Sequence, residues 1–118
     1  MTYYEKAQDL FKMVEEGKLL EVLDKFYHED VKIIADDGSV RKGKVEARNY
    51  NKDFLREIQE IIGEGVKTIT SDEKRAITMV EFWFEIQFKN GHKKKLEEVA
   101  IQHWEGDLII KENFYSKK

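Results

Sequence analysis

The chain has 118 residues, no cysteine, no proline, and 38% of its positions charged. That length holds one domain, since a second core would leave each half too small to stand alone. Without cysteine there is no disulfide framework, thiol nucleophile, iron–sulfur ligation or cysteine zinc site. A balance of 21 basic against 24 acidic residues, net −3, offers no general attraction for nucleic acid.

Tyr3, Ala7, Leu10, Phe11 and Val14 recur at helical spacing, and Gly17 stands where a left-handed cap residue would end that helix. Leu19, Leu20, Leu23, Phe26 and Tyr27 form the face of a second helix. Val31 to Ala35 reads as a short strand closed by the turn Asp36–Ser39. Lys42-Gly43-Lys44 opens a long helix with Ala47, Tyr50, Phe54, Ile58 and Ile61 inward, stopped by Gly63 and Gly65. Strands follow at Val66–Thr70, Ala76–Lys89, Leu96–Trp104 and Leu108–Tyr115. The order α-α-β-α-β-β-β-β, with helices first and an antiparallel meander after, is α+β.

The ends carry no signal peptide, no lipidation motif and no apolar run near the ~20 residues that span a bilayer. A cytoplasmic protein with no membrane partner is expected. Asn90-Gly91 reads as a two-residue hairpin loop, which sets residues whose numbers sum to 181 opposite each other. One face then carries Val80, Phe82, Phe84, Val99 and Ile101. The other carries Met79, Glu81, Trp83, Glu98, Ala100, Gln102 and Trp104, mixing aromatics with glutamates. Periodicity alone favours the apolar face as the core under the helices. The alternative turns the mixed face inward around a partly polar cavity and leaves the apolar stripe for a partner.

Phe26-Tyr27-His28-Glu29-Asp30-Val31 resembles the "LYADDV" lead into the first strand of the SnoaL-like, nuclear transport factor 2-like superfamily. Gly43-Lys44-Val45-Glu46-Ala47-Arg48 resembles its "G-x-x-A-I/R" signature, and Trp104 to Tyr115 is similar to the closing "W-x-D-G-K-I-V-x-E-x-F-Y", with glycine and aspartate exchanged in the turn. The matches span nearly the whole chain as one domain, residues 1–118. The resemblance implies a cystatin-like cone, a curved antiparallel sheet wrapped around N-terminal helices, enclosing a pocket and dimerising through the outer sheet face. It thereby favours the second reading, with Tyr50, Phe54, Met79, Trp83, Gln102 and Trp104 lining a pocket for a small, mostly apolar ligand. Val80, Phe82, Phe84, Val99 and Ile101 become the homodimer face.

The superfamily includes ketosteroid isomerase, polyketide cyclases, dehydratases and binding-only proteins, so fold alone does not decide activity. The isomerase's base, oxyanion-hole aspartate and helix-one tyrosine fall at Ala35, Ala100 and Leu10, which removes that chemistry. The remaining candidates are Glu98, Glu81 and Glu112, since paired carboxylates in a dry pocket separate into an acid and a base. The competing expectation has them solvated at a rim or paired with Arg48 or Lys111. His28, His92 and His103 are too scattered for a metal site, and no cofactor is implied. Arg48 and Asn49 either take an anion at the helix start or hold a neighbouring acidic segment. Lys93-Lys94-Lys95 reads as a charged strand end rather than a nucleic-acid contact. The rival to a ligand-binding or isomerase-like protein is a noncatalytic dimeric module whose cavity is filled by side chains.

Overall fold

The computed structural model describes residues 1–117. Helix α1 spans Tyr3–Glu15 and begins with a capping box in which Thr2 and Glu5 satisfy each other's backbone amides. A second carboxylate completes that end: Glu73, from a distant turn, accepts the Tyr3 and Tyr4 amides at 2.8 and 3.1 Å. Gly17 has φ +79°, as the expected helix stop requires. Helix α2 is Leu19–Phe26 and α3 is Gly43–Glu57.

The strands are β1 Tyr27–Ile34, β2 Val40–Lys42, β3 Ile58–Asp72, β4 Ile77–Phe88, β5 Lys93–Glu105 and β6 Leu108–Ser116. They form one curved sheet in the order β2-β1-β6-β5-β4-β3. The α+β class holds, but the sheet is mixed, because β1 runs parallel to β6. The chain closes β6 against the first strand, and α3 carries the chain from β2 at one edge of the sheet to β3 at the other. The short strand β2, absent from the sequence reading, pairs with β1 across the Asp36–Ser39 turn.

The long helix ends four residues before Ile61. Ile58 to Ile62 is strand, with Ile58 opposite Phe88 and Ile61 opposite Ile86, and the Lys89 amide bonds the Glu57 carbonyl at 2.9 Å. β4 is long enough to offer these residues a ladder, and β-branched side chains fit a pleated surface better than a helix. Gly63 and Gly65 therefore lie inside β3. The Trp83 indole covers both: a Cβ at Gly65 would lie 2.7 Å from its Nε1, and one at Gly63 3.0 Å from the ring. This is the close approach that makes glycine necessary within a strand.

The β4–β5 hairpin departs from expectation by one residue. Its loop is Lys89-Asn90-Gly91, with Gly91 at φ +89° and its amide bonded to the Phe88 carbonyl at 2.9 Å. A three-residue loop ending in a left-handed glycine replaces the two-residue one. Opposed residues now sum to 180: Val80 faces Ala100, Phe82 faces Glu98 and Thr78 faces Gln102. A one-residue slip exchanges the faces of one strand relative to its partner.

Even-numbered residues of β4 and β5 point inward together. Val80, Phe82, Ile86, Ala100, Gln102 and Trp104 are all buried. Phe82 contacts Phe11 of α1, Phe84 and Phe114 at ring separations of 5.2, 5.5 and 6.4 Å. Trp104 lies between Tyr3 and Phe26 at 5.6 and 6.2 Å. No helix among the described residues is long and apolar enough to cross a membrane.

Gly65→Ala should displace the Trp83 indole, since backbone and ring cannot both stay in place. The expected cost is roughly 1–3 kcal/mol, read as a lower Tm with a red-shifted Trp83 emission. An unchanged Tm and emission would contradict the packing described.

Candidate functional site

The inward face carries a row of directly opposed residues, one per strand: Arg41, Ile33, Glu112, Gln102, Thr78 and Ser71. Three of the polar ones, Glu112, Gln102 and Thr78, are essentially without solvent contact. Buried polar groups need partners, and these supply one another.

The direction of the hydrogen bonds follows from the inventory of donors. The Trp104 indole can only donate, and it donates to Thr78 Oγ1 at 2.9 Å. The Thr78 hydroxyl donates to Gln102 Oε1 at 2.8 Å, which leaves the Gln102 amide nitrogen to donate to Glu112 Oε2 at 2.7 Å. Tyr27 donates its hydroxyl to Glu112 Oε1 at 2.6 Å. Glu112 is thus where the chain of hydrogen bonds ends, and it accepts at both oxygens.

Burial opposes those bonds. It raises the Glu112 carboxyl from the usual 4.5 to about 7, while the bonds from Tyr27 and Gln102 and the Arg41 charge hold it down. Desolvation, then the adjacent carboxylate, raises the Tyr27 phenol well above its normal range. Glu98 also faces inward but is half-buried, opposite Phe82 and Ser116. Burial and then the neighbouring Asp36 raise its carboxyl, partly offset by Arg41 and Lys94.

The expected site residues divide between the faces. Gln102, Trp104, Glu98 and Glu112 point inward together, as does Ala100. Glu81, Met79 and Trp83 point outward, contrary to expectation, because the hairpin loop has three residues rather than two. Glu81 is exposed and accepts from the Thr68 hydroxyl at 3.0 Å. Tyr50 is 48% exposed, with the Arg41 guanidinium 3.3 Å over its ring, and Phe54 meets Phe88 edge-on at 6.5 Å. α3 buries only Ala47, so it stands over the inward face without sealing it. Of the expected dimer face, Val80 and Phe82 are core and Phe84 is a half-buried inward residue, whereas Val99 and Ile101 do point outward.

Tyr27 and Thr78 were not singled out for the site. The sequence signal for Thr78 was the three-residue loop, which sets it opposite Gln102. Tyr27 carried none beyond its place on an apolar helix face. Arg48 pairs with Asp24 of α2, so it holds a neighbouring acidic residue. No group of three or more His, Cys, Asp and Glu side chains among the described residues gathers as metal ligands would. At the α1 end an open crevice between α1, β3 and β4, bordered by Phe11, Glu64 and Phe82, holds about 10 Å³.

No protein-family model matches the sequence, and no curated protein matches it. Solved structures do. A Mesorhizobium loti protein named as a SnoaL-like polyketide cyclase superposes with a TM-score of 0.84 at 21% identity, over 98% of this chain and 99% of that one. An NTF2-like protein of unknown function from Burkholderia pseudomallei gives 0.81 at 14%, over 99% and 92%. A Bacillus subtilis structure named as an isomerase gives 0.81 at 16%, over 99% and 90%. The chain has the fold of SnoaL-like and NTF2-like proteins.

The raised Glu112 carboxyl has a defined consequence for stability. Its proton is bound more tightly in the native state, so its contribution is complete below about 4.5 and is lost as pH rises through about 7. The loss is on the order of 3 kcal/mol. Glu112→Gln should flatten this part of the pH–stability curve in denaturant titrations, and an unchanged slope would rule out the assignment.

Proposed function

We propose that the protein binds a small, mostly apolar molecule between α3 and the inward sheet face, and that Glu98 exchanges a proton with it. The observation that carries this reading is the contrast between the two inward carboxyls. Glu112 is sealed, with both oxygens occupied. Glu98 is half-buried among aromatic residues with a raised pKa, which is the condition of a reachable acid or base. Phe82, Phe84 and Phe114 supply an apolar wall beside it, and the unsealed α3, with Tyr50 and Phe54, supplies the approach.

In such an exchange Glu98 would take a proton from an acidic C–H or O–H of the ligand, or return one, with the Arg41 charge favouring the ionised carboxylate. Proton shuttling by one carboxyl is compatible with the cyclase and isomerase names carried by the structural relatives. Gln102 and Glu112 then hold the floor rigid rather than touching the ligand.

The test pairs a binding measurement with a titration. An apolar fluorescent probe such as anilinonaphthalene sulfonate should bind the folded protein and shift the Phe114 and Glu98 amides. Phe114→Asp should weaken binding roughly tenfold. Carbon-detected NMR should show Glu98 titrating above the usual ~4.3. A Glu98 midpoint at the ordinary value, with no probe bound, would sink the proposal.

A second reading is favoured by the way Trp104, Phe82 and Phe26 fill the interior. It is a noncatalytic module that pairs with a second copy through outward residues Met79 and Ile101, which oppose each other across β4 and β5. Light scattering at micromolar concentration should then give twice the chain mass, reduced to a single chain by Ile101→Glu. A monomeric wild type would remove this reading.

A further inference from the structure

β3 carries a carboxyl beneath α1: Glu64, opposite Phe84. It lies in the crevice under the second half of the helix, bordered by Phe11, Val14 and Glu15 of α1 and by Phe82, Trp83 and Phe84 of β4. Glu64 Oε2 is buried there and has no hydrogen-bond partner. A charged oxygen left in that state is costly, whereas the neutral acid is tolerated far better.

No cation offsets the charge within the crevice. β3 adds only Gly65 and Val66 to its border, and β4 adds three aromatic rings. Glu15 is the other charged side chain there, and it has the same sign as Glu64. Lys12 of the same helix is exposed and does not border the crevice, and Lys18, just past the helix end, is paired with Glu16 at 3.6 Å. Burial, then the Glu15 charge, raises the Glu64 carboxyl above its ordinary 4.5.

The two ends of α1 are held differently. Its start has the capping box, the Glu73 carboxylate on two amides, and Lys6 bonded to Asp107 at 2.7 Å. Its end has the packing of Phe11 and Val14 over Glu64, followed by Gly17 in the left-handed conformation.

We infer that the second half of α1 is a proton-controlled latch on the sheet, docked over Glu64 while that carboxyl is neutral and loosened when it ionises beside Glu15. The proton is held more tightly in the docked state. Its contribution to docking is therefore complete below about 4.5 and is lost as pH rises through the raised value. Loosening uncovers Phe11, Phe82 and Phe84 from the α1 end. Phe82 and Phe84 also wall the region beside Glu98. The latch depends on Glu64 and Glu15, however, and is read on α1 itself, so it stands or falls apart from proton exchange at Glu98.

The test is hydrogen exchange of the full chain from about pH 4 to about pH 8, expressed as protection factors to remove the intrinsic pH dependence. Protection at Val14, Glu15 and Glu16 should fall roughly tenfold across that range, while Ala7 and Gln8 at the anchored start keep theirs. Global unfolding, which Glu112 also makes pH-dependent, would move both ends of the helix together. Glu64→Gln should abolish the loss. Glu15→Gln, at an exposed position that should not disturb the fold, should reduce it. Equal loss along the whole helix, no loss at its end, or a loss undiminished in either variant would overturn the proposal.

Discussion

The pairing of β4 with β5 decides what this sheet has inside it. Gly91, in a left-handed conformation, closes a three-residue loop, and from that point every opposed pair follows. Val80, Phe82 and Ile86 are buried as a result, each worth about 1.5–3 kcal/mol against exposure. A slip that turned these three outward would therefore cost an amount comparable with the 5–15 kcal/mol stability of an ordinary domain. The same slip would separate Thr78 from Gln102 and leave the buried Gln102 Oε1 without its donor and the Trp104 indole without its acceptor. Apolar packing and polar satisfaction thus specify one register between them.

Most of the architecture was legible in the residues. The helical spacing of Tyr3, Ala7, Leu10 and Phe11, the Gly17 stop and the runs of β4, β5 and β6 each indicate their element directly. What was not legible was tertiary in origin. Ile58 to Ile62 has helical spacing, yet it becomes strand because β4 offers it a ladder. β2 is three residues long and exists through its pairing with β1. The parallel contact of β1 with β6 joins segments some eighty residues apart, beyond any local pattern.

The candidate site was legible in its residue types and only partly in its placement. Glutamates recurring among aromatics marked the sheet as chemically unusual, and two of the three, Glu98 and Glu112, do face inward. Glu81 does not, because Asn90-Gly91 fits either a two-residue turn or the end of a three-residue loop. The fold resemblance turned Gln102 and Trp104 inward, and both side chains are buried. It assigned the wrong face to Val80 and Phe82 because it was combined with the shorter loop. The two inward acids also differ in kind: one is fixed by its partners, the other retains contact with solvent. That difference could be read only from coordinates.

The carboxylate of Glu73 at the start of α1 bears on how the chain reaches its fold. Its acceptors serve amides seventy residues away in sequence. Two of the amides at the N-terminus of α1 therefore find their partner only once the β3–β4 turn has formed and come to rest beside it. Contacts so distant are slow to form, since loop closure must precede them. Helix α1 is thus completed late, and its opening turn reports on sheet assembly rather than preceding it.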